Sequence, residues 1–361
     1  MFKTAEELWK HLKSGKLYFI AEAGVNHVGD LSLANKLIEQ AAIAGCDCIK
    51  FQSYKASELC TKDAPRFWNE KDFDGFTEEK KEGSQFDSYS LLDSFEAKEH
   101  KIMAQFCEDN KIDFMSTPFY NGAIEYLEEI GVIGHKIASC DITNFPLLEK
   151  VAKTNKVIFL STGASYLKEV KDAVNIISKY NQKIVIMQCS LSYPSQPEEA
   201  NLSMLKDLHN AFGEKYILGL SDHTTENITP AFSYCYGATV FERHFTIPEA
   251  KLKGKSPDNY FGATPENVKN IIYFLKMAEK MKGSTEKKPH SGELLARKNA
   301  RRSIVASRNI RAGELFSLDN LTCKRPGTGI SPVEMKSIIG KTAVIDIAED
   351  KLLKHEHYKE I

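Results

Sequence analysis

The sequence has eight cysteines but no C-x-x-C pair. Cys46, Cys48, Cys60, Cys107, Cys140, Cys189, Cys235 and Cys323 are scattered, mostly inside apolar runs. That spacing excludes a zinc ribbon or a thioredoxin-type redox motif and points to free thiols in a reducing compartment. No apolar run is long enough to span a bilayer. The opening stretch "MFKTAEELWKHLKSGKLYFI" reads as a short amphipathic helix leading into a strand, without the apolar core of a signal peptide. A cytoplasmic protein is the expectation. Charge of one sign is also lacking: 48 basic residues face 49 acidic ones, with no long block of either. This argues against a nucleic-acid-binding stripe and against a polybasic membrane anchor, while leaving room for a local cationic pocket. Finally, "EAGVNHVGD" follows the first strand-like run where a G-x-G-x-x-G turn would stand in a dinucleotide-binding fold, and it does not match.

What is present is repetition. Eight runs rich in Val, Ile and Phe fall at 17–24, 46–52, 112–119, 135–139, 157–164, 184–190, 216–223 and 238–245. Helical patterns lie between most of them. After the first run, Leu33, Leu37, Ile38, Ala41 and Ala42 make an apolar stripe, with Asp30 as N-cap and Gly45 as the stop. After the eighth, Thr264 caps a helix that begins at Pro265, buries Val268, Ile271, Ile272 and Leu275, and stops at Gly283. Eight β-α units predict an α/β protein, a (β/α)8 TIM barrel, for which about 250 residues is usual.

The polar residues of these runs sit at their C-terminal ends, where barrels carry function. Residues two apart share a face of a strand. Lys50 therefore pairs with Gln52, Ser221 with His223, and Glu242 with His244. A single histidine in an apolar run is commonly a hydrogen-bonded core residue. His223 and His244 stand at equivalent tips of consecutive strands, which lie ~4.8 Å apart in a sheet, so both imidazoles can reach one ion. Two protein ligands leave positions open for water or substrate, which suits a catalytic metal. Residues 53–111 exceed one crossover helix and read either as a surface insertion or as a lid over the active face.

"KGSTEKKPHSGE" has the composition of a linker, and short strands broken by turns follow it. The expected organisation is an N-terminal helix at 1–16, a barrel at 17–283, a linker at 284–296 and a small second domain at 297–361. A piece of that size is small for an independent core and is expected to pack on something else. Its "KRPGTGISP" stretch, flanking Arg325, reads as a rigid exposed loop.

Together, "IAEAGVNHVGDLSLANKLIEQAAIAGCDCIKFQ", "STPF", "KIAS", "STGAS", "SYPS", "GLSDHT", "FERHFT" and "RRSIVASRNIRAGE…RPGTGISP" resemble the sialic acid synthase family. These segments run in family order over nearly the whole chain. The resemblance implies a barrel with a carboxy-terminal antifreeze-like (SAF) domain, and condensation of phosphoenolpyruvate with an N-acylated amino hexose. It also implies a divalent cofactor, Mn2+ or Mg2+, on His223 and His244. Lys50, Thr117, Lys136, Ser139, Ser161 and Ser221 match positions that hold phosphoenolpyruvate, whose charge suits lysines and short hydroxyls. Gln52, Asp141, Tyr193, Asp258 and Arg325 match sugar-contacting positions. Glu22, Lys50 and Glu242 stand where the family keeps groups at the reacting centre. Arg325 matches an arginine delivered into a partner subunit's site, implying a domain-swapped homodimer.

Three departures all fall on the sugar side. "KIASCD" places Cys140 and Asp141 where the family typically has glycine and glutamate; "IPEAKLKGKS" precedes Asp258 in an unusual context; and the 53–111 insertion is distinctive. Rival readings are another phosphoenolpyruvate-dependent keto-deoxy acid synthase, a Schiff-base aldolase using Lys50 or Lys136, and a non-catalytic binding protein on a barrel relic.

Overall fold

The computed structural model describes residues 1–66, 83–93, 95–253 and 256–359. The chain divides into two compact units, Met1–Gly283 and Ser284–Ile361.

The first unit is a closed barrel of eight parallel strands in sequential order. They are β1 (Tyr18–Gly24), β2 (Cys48–Ser53), β3 (Asp113–Pro118), β4 (Gly134–Ile137), β5 (Val157–Ser161), β6 (Ile184–Cys189), β7 (Ile217–Asp222) and β8 (Val240–His244). Each lies within or across one of the eight apolar runs, and β8 returns to pair with β1. Caps act where the sequence places them. The Asp30 side chain accepts from the Ser32 and Leu33 amides at the start of the helix Leu31–Ala44, a contact worth about 1 kcal/mol. Gly45 ends that helix at φ +92°, a conformation that favours glycine. Thr264 caps the helix Pro265–Lys282 through the Asn267 amide.

Strand parity divides the barrel into two cores. Outward residues such as Phe51, Leu160, Leu218, Leu220 and Phe241 pack with the helices. Inward residues at the strands' N-terminal halves, including Tyr18, Ile20, Met115, Phe159, Met187 and Val240, pack with Leu8 and Leu12 of the helix Ala5–Lys13. That helix plugs the N-terminal end of the barrel and leaves the opposite end to the polar residues.

Between β2 and β3, the described part of the long connection contains short helices at Ala56–Leu59 and Gln85–Ser90, then the crossover helix Ala97–Asp109. Residues 67–82, which the insertion-or-lid reading includes, lie outside the described residues. Tyr54, Leu92 and Val25 form a small apolar cluster that joins the two ends of this connection to the β1 loop.

The second unit has a core of Ile304, Ala306, Ile310, Phe316, Leu321, Ile330, Ile338, Ala343, Ile347 and Leu353. Its two antiparallel strands are β9 (Ser303–Ala306) and β10 (Leu321–Lys324). The stretch 284–296 belongs to this unit, and a helix begins in it at Leu294.

Candidate active site

The inward side chains at the C-terminal ends of the strands form one buried polar layer. Lys50 Nζ lies 2.6 Å from Glu22 Oε2, 3.0 Å from Thr117 Oγ1 and 3.7 Å from Glu242 Oε1. Lys136 Nζ lies 2.6 Å from Glu242 Oε1, to which Ser221 Oγ also donates at 3.3 Å. Gln52 Nε2 donates to Glu22 Oε1 at 2.9 Å. Two lysines thus face two carboxylates, each at most 4% exposed. Buried charges persist only when paired in this way.

The two carboxylates differ in kind. Burial, with help from nearby Glu242, raises Glu22 above the ordinary carboxylate range in spite of Lys50. Burial also opposes the ionised form of Glu242, but Lys136 and then Lys50 outweigh it and hold that group down at about 2. For Lys50, burial is outweighed by Glu22 and Glu242, and its ammonium is raised. A carboxylate whose pKa burial raises and a carboxylate held as an anion therefore lie on either side of one lysine, and their environments push two like groups apart.

Two atoms of this layer lack hydrogen-bond partners. Ser161 Oγ and Glu242 Oε2 are buried and make no hydrogen bond. Such orphaned atoms each cost on the order of 1–3 kcal/mol unless a ligand satisfies them. Ser139 Oγ accepts the Gly163 amide at 2.9 Å.

His223 and His244 come together as their strand positions predict, with ring centroids 5.3 Å apart. The His223 Nδ1–H donates to the Ser190 carbonyl at 2.7 Å, which leaves Nε2 with its lone pair. Burial, and secondarily His244, lowers His223 to about 3, so its imidazole is neutral, the ligating form. His244 Nδ1 is buried without a hydrogen bond and lies 3.4 Å from Asp258 Oδ2. Among the described residues no set of three His, Cys, Asp or Glu side chains forms a complete cage. The paired imidazoles, His223 with a free Nε2 lone pair and His244 beside the Asp258 carboxylate, fit a metal held by two histidines with its other positions open.

The sugar-side residues are placed unevenly. The Tyr193 ring packs on His223 at 4.1 Å. A Cβ on Gly24 would meet Asp258 Oδ2, Gln52 Nε2 and Glu22 Oε1 at 3.1–3.4 Å, so Gly24 marks the point where these three converge. Asp141 is held locally instead, accepting from Asn144 Nδ2 at 3.1 Å in the turn that follows β4. Arg325 lies in the second unit, before a cis bond to Pro326.

Two residues at this layer escaped the sequence reading. Cys189 follows Val185 and Met187 on the inward face of β6, pairs with Ser221 in register, and has its sulfur 3.9 Å from His223 Nδ1. Strand parity alone would have found it. Phe261 packs against His244 at 4.9 Å and against Tyr193 at 5.7 Å. It comes from a loop, where no periodicity points to it.

A closed parallel barrel carries a charged, histidine-bearing layer at its C-terminal mouth, and a small β unit follows it in the chain, the arrangement of a barrel enzyme. The NeuB family matches residues 37–287 and the SAF domain matches residues 301–359. The chain belongs to the NeuB family, the sialic acid synthases, and carries a SAF domain. It is 37% identical to the N,N'-diacetyllegionaminic acid synthase of Campylobacter jejuni, over 94% of this chain and 99% of that one. Its identity to the synthase of the same name from Legionella pneumophila is 34%, over 94% of both. Among solved structures, N-acetylneuraminic acid synthetase from Leptospira borgpetersenii, in complex with citrate, superposes with a TM-score of 0.68 at 30% identity, covering 78% of this chain and 90% of that one. The chain is a nonulosonic acid synthase.

Proposed function

We propose that the protein condenses phosphoenolpyruvate with the open-chain form of an N-acylated amino hexose, releasing phosphate by C–O cleavage. The observation that carries this reading is the paired layer of Lys50, Lys136, Glu22 and Glu242 beside His223 and His244. Lys50 and Lys136, with Thr117, Ser139, Ser161 and Ser221, hold the phosphate and carboxylate of phosphoenolpyruvate. Gln52, Asp141, Tyr193, Asp258 and Arg325 hold the sugar. His223 and His244 would hold a divalent ion, manganese or magnesium, which would supply Lewis-acid polarisation of the aldehyde. The enol carbon attacks the aldehyde carbon, and the aldehyde oxygen takes a proton to become a hydroxyl. Water then adds to the carbon that bears phosphate, losing a proton, and the tetrahedral adduct expels phosphate to give the 2-keto-3-deoxy acid. Glu22, whose pKa burial raises, and Glu242, whose charge Lys136 and Lys50 hold, are the groups we assign to these proton transfers.

The same charges disfavour a Schiff-base aldolase built on Lys50. A nucleophilic lysine needs a lowered pKa, and that of Lys50 is raised by its two carboxylates. Both named relatives make a diacetyl acid, which favours a 6-deoxy diacetamido hexose over N-acetylmannosamine as acceptor. We further propose a cytoplasmic homodimer in which Arg325 of one subunit serves the barrel of the other.

The test is phosphate release from phosphoenolpyruvate with manganese across a panel of amino sugars and arabinose 5-phosphate, with product mass by spectrometry. One amino sugar is expected to give stoichiometric phosphate and a product of acceptor plus pyruvate. Phosphate released only with arabinose 5-phosphate would refute the acceptor class, and activity unchanged by chelation would refute the metal.

A further inference from the structure

The outward face of β7 and β8 is apolar at Leu218, Leu220 and Phe241, yet it ends in a buried charge pair. Arg243 Nη1 lies 2.5 Å from Asp222 Oδ2, with the residues 2% and 3% exposed. Arg243 Nη1 also reaches Thr224 Oγ1 at 3.4 Å, the Thr224 amide donates to Asp222 Oδ1 at 2.9 Å, and the Thr224 and Thr229 hydroxyls are 2.9 Å apart. A buried ion pair is a poor device for stability, because desolvation offsets most of the attraction; apolar side chains of like size serve as well or better. Its best-attested use is to fix one arrangement among several.

The position of the pair shows which arrangement is at stake. Asp222 and Arg243 are register partners at the end of the β7–β8 ladder, and His223 and His244 follow them directly in the chain. Beyond this point the two backbones turn to different neighbours. The His223 carbonyl accepts the Ser195 amide at 2.9 Å, and the His244 carbonyl accepts the Ala263 amide at 2.7 Å. The side-chain pair is the last direct tie between the strands before the two imidazoles.

We infer that Asp222 and Arg243 are positioning residues that hold His223 and His244 in mutual register from behind the barrel wall. The inference rests on the proposed pairing of these histidines at one metal. The pair touches no substrate and acts only through the residues that follow it. Partners of this kind set ligand orientation, and their loss costs about 10- to 100-fold in metal affinity.

The test uses the full chain carrying Asp222→Asn together with Arg243→Met, which removes both charges and keeps an acceptor for the Thr224 amide. The double variant is expected to melt within a few degrees of wild type. Its Mn2+ affinity, read from the free-ion EPR signal, should fall at least 10-fold, and kcat should fall with it while KM for phosphoenolpyruvate stays within twofold. Arg243→Lys, which keeps a cation beside Asp222, should recover part of the metal affinity. A folded double variant with wild-type Mn2+ affinity and kcat would reduce the pair to a structural role and overturn the inference. A readout without metal separates this from failure of the metal reading. In 15N-histidine-labelled apoprotein the His223 Nδ1–H, protected in wild type by the Ser190 carbonyl, should lose protection in the double variant. If wild type binds no Mn2+, the metal reading fails, and unchanged protection in the double variant then overturns the positioning as well.

Discussion

His223 shows how burial, with His244 adding to it, can set the chemistry of one side chain. It is 6% exposed, and burial holds its folded-state value at about 3 against an ordinary 6.5. Above pH 6.5 both folded and unfolded chains carry the neutral ring, so it contributes no pH dependence. Between about 6.5 and 3 the unfolded chain binds a proton that the folded chain does not, and folding stability falls as pH falls. In metal-free protein, urea unfolding followed from pH 7 to pH 4 should therefore show a steeper loss for wild type than for His223→Gln. The difference should approach about 1.4 kcal/mol per pH unit within that window. Parallel curves would mean that the ring is protonated in the fold. The same neutral state that costs stability in acid leaves Nε2 able to bind a cation at neutral pH.

Elements were legible wherever periodicity was simple. Eight apolar runs became eight strands, and parity placed Lys50, Gln52, Ser221, His223, Glu242 and His244 inward because a strand alternates faces regardless of its neighbours. Caps at Asp30 and Thr264 were legible for a similarly local reason. Phe261 and the Ser190 carbonyl were not, since loop positions are set by packing that no period encodes. Neither was the Asp222–Arg243 pair, whose outward charges look misplaced until the end of the ladder is known. The loop that carries Arg325 combines both situations. Its Gly and Pro content announced a rigid turn, but what pins it is Ser303, at the start of β9. Ser303 Oγ donates to the Pro326 carbonyl at 2.7 Å and accepts the Gly329 amide at 2.8 Å, fully buried. Ser303→Ala leaves both groups without that partner and should destabilise the second unit by about 1–3 kcal/mol. Steady-state kinetics should show a raised KM for the acceptor and an unchanged KM for phosphoenolpyruvate, because only the sugar side is proposed to depend on Arg325. A change confined to phosphoenolpyruvate would break the link between this loop and the acceptor.

At the scale of the molecule, the question is why a barrel that already gathers lysines, carboxylates and histidines should carry a second, smaller unit. Its core is ten buried apolar residues, with Leu315, Leu318 and Val333 left exposed. If that unit serves the barrel of another subunit, each active site is assembled from two chains, and defects in the two parts must complement. His223→Ala disables the barrel site and Arg325→Ala disables the delivered arginine, so each homodimer should be inactive or nearly so. In a heterodimer formed by co-expressing the two variants, the Arg325→Ala chain offers an intact barrel and the His223→Ala chain offers an intact Arg325. One complete site per heterodimer and random pairing of chains predict about a quarter of wild-type activity in the mixture. If Arg325 served its own barrel, both sites of the heterodimer would carry a defect, and mixing would restore nothing. Isolating the heterodimer with two different affinity tags should double the specific activity of the mixture, and the failure of that step would count equally against assembly in trans.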